Sequence, residues 1–320
     1  MLIPQTNDHL DLTPQPPPAD GPALTFDFPA LHIGVAEYAE GPTGCTVFHF
    51  PRSVSAMVDV RGGSPGFLGE YHALDAICLA GGSLIGLEAV TGVTAELFAQ
   101  AGYDPQWGKL PLVSGAIIYD YGPRDNRIYP DKELGRAALR WAVPGRFPLG
   151  QRGVGCSARV GSGFDFASGE PGGQGGAFRQ VGETKIAVFT VVNAIGAITD
   201  RGGRVVRGQR DATTGAHFTL PDDLERRLAA GLPTAPTYGN TTLTVVVTNQ
   251  KLDGYPLRQI GRQVHASLAR AIQPFHTLND GDVLWAVTTD EVENPALSPL
   301  ALGVLASEIA WDAVLASYEQ

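Results

Sequence analysis

The sequence has few cysteines and few basic residues, and it carries none of the common catalytic signatures. Cys45, Cys78 and Cys156 are odd in number and far apart, with no CxxC pair. That spacing argues against a disulfide framework or a structural zinc site, and a reducing cytoplasm is the expected compartment. Lys and Arg total 23 against 33 Asp and Glu, for a net charge of -10. No stretch holds a dense basic cluster, so a nucleic-acid partner is not expected. The arginines of RGGRVVRGQR (201–210) are spread over a Gly-rich hairpin and read as a solvated loop. The first basic residue is Arg52, so no basic n-region marks a signal peptide, and no apolar run reads as long enough to cross a bilayer. HExxH, GxSxG, a Walker loop and GxGxxG after a strand are all missing, and no metal or organic cofactor is expected.

What is present is globular. Hydrophobic residues make up 43% and charged ones 18%, proportions that bury a core rather than leave a disordered chain. Residues 1–23, with PQPPPADGP, read as a mobile or surface-wrapping tail, and 24–320 as a single domain. Short apolar runs between Leu24 and Val60 alternate with Gly/Pro turns and read as strands. The stretch 72–100 is apolar almost all round and reads as a buried helix. A strand over 111–120 ends in Tyr119-Asp120, and a helix over 134–143 is stopped by Pro144-Gly145. IAVFTVVN (186–193) is a buried strand ending in Asn193, and PDDLERRLAA (221–230) is a short helix leading into an exposed loop. Beyond it come a strand (242–248), a helix (256–272), a strand (283–289) and a last helix (298–316). The alternation predicts an α/β fold of sheets layered against helices.

Two short segments carry candidate chemistry. In GNTTLTVVVTN, Asn240-Thr241-Thr242 stands where a loop enters a strand. A threonine hydroxyl is a weak nucleophile without an adjacent base, and a free α-amine on the same residue can be that base, with a reference pKa of about 7.7–8.0. The amine exists only if the Asn240–Thr241 bond is cut, by attack of the Thr241 hydroxyl on the Asn240 carbonyl; the plainer reading is a turn followed by a strand. In Asn279-Asp280-Gly281-Asp282, two carboxylates flank a glycine just before a buried strand. They either orient an ammonium and a hydroxyl or form an ordinary Asp-Gly turn. His276 is the histidine nearest these groups, and reads as a hydrogen-bonded structural residue.

Taken together, EGPTGCTVFHFP (40–51), DAICLAGGSLIGLEAVTGV (75–93), YPDKELGRAAL (129–139), AVPGRFPLGQRGVG (142–155), GQGGAFR (173–179), GNTTLTVVVTN (239–249), IQPFHTLNDGD (272–282) and AVTTDE (286–291) resemble one family in order. It is that of the nylon-oligomer hydrolases (6-aminohexanoate-oligomer endohydrolases), within the self-processing N-terminal-nucleophile hydrolases that include D-aminopeptidase and β-peptidyl aminopeptidases. The resemblance implies a four-layer α/β/β/α sandwich, cleavage at Asn240–Thr241 into 1–240 and 241–320, and a tetramer of the processed heterodimers. It implies that Thr241 is the nucleophile, that Asp280 and Asp282 link to its N-terminus, and that Asn193 and Tyr119 face it. The implied substrate is a linear aliphatic amide, cut in mid-chain through an acyl-threonine intermediate without a cofactor.

One position departs from the family. Where the family has a lysine near the nucleophile, this sequence has Ser162. Loss of that cation removes one way to lower the amine's pKa and to stabilise negative charge. Arg159 and Lys185 are candidate substitutes. The departure keeps open an unprocessed, non-catalytic relative, beside an aminopeptidase acting on short peptides or β-peptides.

Overall fold

The computed structural model describes residues 4–235 and 239–318. Its main elements are β1 (His32–Tyr38), β2 (Thr43–Val60), β3 (Ala73–Ala80), α1 (Leu87–Gln100), β4 (Val113–Ile117), α2 (Lys132–Arg140), β5 (Gly173–Val181) and β6 (Thr184–Asn193). They continue with β7 (Ala197–Thr199), β8 (Val205–Arg207), α3 (Leu220–Ala230), β9 (Thr241–Gln250), α4 (Gly254–Ser267), β10 (Val283–Val292) and α5 (Pro299–Leu315). Among the described residues a ten-stranded sheet contains the path β5-β6-β9-β10-β2-β3-β4, with β1 also paired to β2. Two neighbouring pairs, β9–β10 and β3–β4, are parallel.

The long strand β2 serves both halves of this sheet. Its first part pairs with β1 and β3, and its second part with β10. The halves face each other across a central core. Leu243, Val245 and Val247 of β9 and Val283, Trp285 and Val287 of β10 meet Phe48 and Phe50 of β2 and Ile77 and Leu79 of β3 there. Intervening residues of the same strands point outward. Val246, Leu284 and Ala286 pack under α4 and α5, whereas Cys45, Val47, Cys78 and Ala80 pack under α1 and α2. Because strand side chains alternate faces, three cores separate four layers, giving the α/β/β/α sandwich. Inside the central core Phe189 meets Phe147 and Phe48 with ring centroids 4.8 and 5.2 Å apart.

The structure corrects three sequence readings. Residues 73–80 are strand, and only 87–100 form the helix. A strand buried on both faces shows no alternation, so its apolar run has no diagnostic period. Gly81-Gly82 mark the break: Gly82 has φ +77°, and a Cβ on Gly81 would lie 2.3 Å from the Asp120 carboxylate. The helix expected over 256–272 ends earlier, and Ile272 instead joins a short strand beside Ile198. The stretch Pro299–Tyr318 is, by length and mean hydropathy of 1.5, long and apolar enough to cross a membrane. Here Leu302, Ala306, Ile309 and Ala313 bury it against the sheet as a core helix.

Residues near the N-terminus lie along the domain surface. Gln15 bridges to Glu37, and Asn7 bonds the Tyr129 carbonyl and the Asp131 carboxylate. The loop read at 231–240 falls partly outside the described residues.

Candidate active site

The sheet order gathers the candidate residues at one end. β6 runs antiparallel to β9, so its last residue, Asn193, pairs with the first residue of β9, Thr241. β10 runs parallel to β9, so the loop that enters it, carrying Asp280 and Asp282, arrives at the same end. Tyr119, just past β4, is drawn in by a hydrogen bond from Asn193 Nδ2 to its carbonyl, 3.0 Å. All five residues read from the sequence thus converge.

Asn240 leads into Thr241 at the loop-to-strand junction. Thr241 is buried, and its hydroxyl donates to the carbonyl oxygen of Asn240 at 2.5 Å. The same oxygen accepts the Gly281 backbone N–H at 2.8 Å. That approach requires glycine: a Cβ on Gly281 would lie 2.8 Å from Thr241 Oγ1 and 2.9 Å from the Ser64 carbonyl oxygen. The peptide bond of interest therefore has a hydroxyl on one side and a fixed N–H donor aimed at its oxygen.

The two aspartates divide the work of holding this end together. Asp282 accepts the Thr242 N–H on Oδ1 at 2.7 Å. Its Oδ2 takes the His276 N–H at 3.1 Å and the His276 ring Nδ1 at 2.9 Å. Asp280 accepts from Thr277 Oγ1 at 2.5 Å, Thr277 N at 3.1 Å and Ile195 N at 3.3 Å. Both carboxylates are fully buried. Burial first, and the neighbouring Asp282 charge second, push the Asp280 carboxyl up to about 6. Gly62 lets the turn after β2 close over this acidic segment, since a Cβ there would lie 2.2 Å from Asp282 N.

His276 has φ +58°, a backbone conformation that favours Asn, Asp or His over other side chains. Its bonds to Asp282 make it a positioning residue. His276→Asn, which tolerates that backbone, is expected to keep more activity than His276→Ala. The alanine variant should lose roughly ten- to a hundredfold in kcat, because the carboxylate beside Thr242 is no longer held in place. Steady-state kinetics on both variants check this.

Ser162, 6% exposed, donates from its hydroxyl to Asn240 Oδ1 at 3.4 Å, so it does border the Asn240–Thr241 bond. The two substitute cations are not beside the hydroxyl. Lys185 starts β6, about 26 Å from Asn193 along the extended strand, and pairs with Asp27. The Arg159 backbone N–H binds Asn193 Oδ1 at 2.9 Å, but its guanidinium lies over the Phe166 ring and donates to the Gly169 carbonyl. Among the described residues, no Lys or Arg side chain pairs with Asp280 or Asp282.

Sequence reasoning missed Gly281, Thr277 and Ile195. Each donates a backbone N–H, which every residue but proline carries, and Thr277 adds its hydroxyl; only the glycine between two aspartates hints at a close approach. Among the described residues no three His, Cys, Asp or Glu side chains converge as a metal cage would need.

The profile of peptidase family S58 matches residues 23–318. A "Putative NylC-analogous protein" of Agromyces sp. (strain KY5R) is 47% identical over 302 residues, covering 91% of this chain and 98% of its own. The 6-aminohexanoate-oligomer endohydrolases of Agromyces sp. (strain KY5R) and Paenarthrobacter ureafaciens are each 46% identical, over 97% of this chain and 89% of theirs. Among solved structures, the L-aminopeptidase D-Ala-esterase/amidase of Ochrobactrum anthropi, described as a variant of the Ntn hydrolase fold, superposes with TM-score 0.60 at 16% identity, covering 94% of this chain and 88% of that one. A Burkholderia sp. beta-aminopeptidase gives 0.59 at 17% identity, over 93% and 88%. Fold and relatives define an amide-bond hydrolase with the N-terminal-nucleophile architecture. The chain belongs to peptidase family S58.

Proposed function

We propose that the chain cleaves itself between Asn240 and Thr241 and then hydrolyses linear aliphatic amides such as 6-aminohexanoate oligomers, cutting within the chain. The observation that carries this reading is the setting of the Asn240 carbonyl, between the Thr241 hydroxyl and the Gly281 N–H. In maturation Thr241 Oγ bonds to the Asn240 carbonyl carbon, the C–N bond breaks, and the nitrogen takes the hydroxyl proton. Water then hydrolyses the ester, leaving the Asn240 carboxylate and a free Thr241 with its amine. The Gly281 N–H meets the oxygen that turns negative on the way.

In turnover the amine accepts the hydroxyl proton as Oγ attacks a substrate amide, and the departing amine takes that proton away. Water releases the acyl group from threonine. Asp282, through the Thr242 N–H, and Asp280, through its neighbours, keep the new N-terminus in place. Asn193, paired with Thr241 across the sheet, and Tyr119 border the reacting group. The substrate class follows the relatives named 6-aminohexanoate-oligomer endohydrolase. The same reading makes the working enzyme a cytoplasmic tetramer of cleaved protomers that needs no cofactor.

Product analysis tests it. Incubated with the linear 6-aminohexanoate hexamer, the enzyme should release dimers to tetramers first, followed by mass spectrometry. Monomer as the sole early product would favour the aminopeptidase reading instead, and an unconsumed hexamer would overturn both.

A further inference from the structure

Among the described residues, His265 of α4 is the only fully buried histidine, and nothing in the proposed chemistry uses it. Its Nδ1 meets Asp59 Oδ2 of β2 at 2.9 Å. Burial would raise the Asp59 carboxyl, but bonds from His265 and Arg61 bring it down to about 2, so it is an anion that accepts the proton on Nδ1. Burial holds the His265 ring below its usual value, so the ring is neutral near pH 7. It stands at right angles to the ring of His276, with centroids 4.4 Å apart and planes at 87°. His276 repeats the arrangement, its Nδ1 meeting Asp282 Oδ2 at 2.9 Å. In both rings Nε2 is buried and has no hydrogen-bond partner among the described residues. Each imidazole is therefore tied by one ring nitrogen to its own carboxylate, and what stops it from swinging about that tie is packing. The perpendicular ring supplies that packing, and so does Phe275, whose centroid lies 3.9 Å from that of His276.

The series Asp59, His265, His276, Asp282 ends on the Thr242 N–H, 2.7 Å from Asp282 Oδ1. Self-cleavage gives such a support its use. The turn 279–281 is tied to Asn240 twice, by the Asn240 N–H on the Asn279 carbonyl at 3.1 Å and by the Gly281 N–H on the Asn240 carbonyl at 2.8 Å. Once the Asn240–Thr241 bond is cut, both of those ties end on a free chain terminus. His265, His276, Asp282 and Thr242 all lie in 241–320, so their contacts do not depend on the bond that breaks. Asp59 belongs to the other fragment but is fixed by the sheet, where it pairs with Leu284 of β10.

We infer that His265 is a positioning residue: through the His276 ring it keeps Asp282 on the Thr242 N–H, and so holds the new N-terminal Thr241 in place after the chain is cut. Its use in turnover rests on the self-processing reading, whereas its hold on Asp282 does not.

The first test needs no activity. In the full-length Thr241→Ala chain, amide hydrogen exchange is measured residue by residue at pH 7. His265→Leu removes the ring while filling much of its volume. It should speed exchange of the Thr242 amide at least about tenfold and leave Val246, four residues further along β9, within about twofold. Added to His276→Ala, which already removes the ring contact, His265→Leu should alter Thr242 exchange by less than about twofold. Asp59→Ala, nearer the surface, frees His265 Nδ1 without emptying the core and should act in the same direction as His265→Leu. Unchanged Thr242 exchange in both single variants would overturn the inference. So would equal acceleration at Thr242 and Val246, which is plain loss of stability. In the cleavable chain, His265→Leu should lower kcat on the linear 6-aminohexanoate hexamer about tenfold with KM within about twofold. An unchanged kcat in a variant that has cleaved itself would overturn the inference as well. A parent chain that never cleaves, with Thr242 exchange responding as stated, would sink the self-processing reading alone.

Discussion

Gly281→Ala is expected to slow self-cleavage by about 10²–10³, the usual effect of removing one oxyanion donor. The new methyl would press on Thr241 Oγ1 and on the Ser64 carbonyl, both closer than a real Cβ tolerates. Relief requires the 280–282 turn to move away, which takes its N–H off the Asn240 oxygen and shifts the hydroxyl from its partner. Sampling the purified protein over days by denaturing gel reads the rate directly. A variant that matures as fast as the parent would show that the Gly281 donor has no part in cleavage. The backbone of Gly281 is not in the left-handed region, so the effect is one of space rather than of forbidden conformation.

Asp280→Asn should separate stability from activity. The Asp280 carboxyl sits at about 6 in the fold, above its usual value near 3.8, because burial and the Asp282 charge disfavour ionisation. A group raised in this way contributes stability that is complete below the unfolded value and is lost as pH rises through the folded one. At pH 8 the buried charge therefore weighs against the fold, and at pH 4 it does not. Relative to the parent, Asp280→Asn should gain about 2–3 kcal/mol of stability between pH 4 and pH 8. Chemical denaturation in the uncleaved Thr241→Ala background compares the two in one chain state. In the cleavable chain the same substitution should lower turnover at least about a hundredfold, since the acid that helps position the new N-terminus is gone. A stability difference that does not move with pH would mean that Asp280 is not the buried titrating group.

How much of this was legible in the sequence depends on what each residue signals locally. The strands carrying Asn193 and Thr241, and the Asp-Gly-Asp turn, announce themselves because β-branched runs bounded by Asn, Gly and Asp have no other comfortable conformation. Their convergence could be read only through resemblance, because a parallel β9–β10 pair depends on a crossover that no local pattern encodes. The strand at 73–80 was hidden for the opposite reason: both its faces are buried, so Leu74, Ile77 and Leu79 on one side and Ala76, Cys78 and Ala80 on the other merge into one apolar run. Lys185 is the lysine nearest Ser162 in sequence, yet it lies eight residues from Asn193 along an extended strand. The Gly281 donor is a backbone N–H, so the sequence marks the close approach of its glycine but not the oxygen it meets.

The central claim, that Thr241 becomes an N-terminus, is tested most directly by denaturing mass spectrometry of the purified protein with N-terminal sequencing of the smaller species. The account predicts two fragments, 1–240 and 241–320, the second beginning Thr241-Thr242-Leu243. A single intact chain after prolonged incubation at neutral pH would contradict it, and Ser162, which borders Asn240, would be the residue to change first.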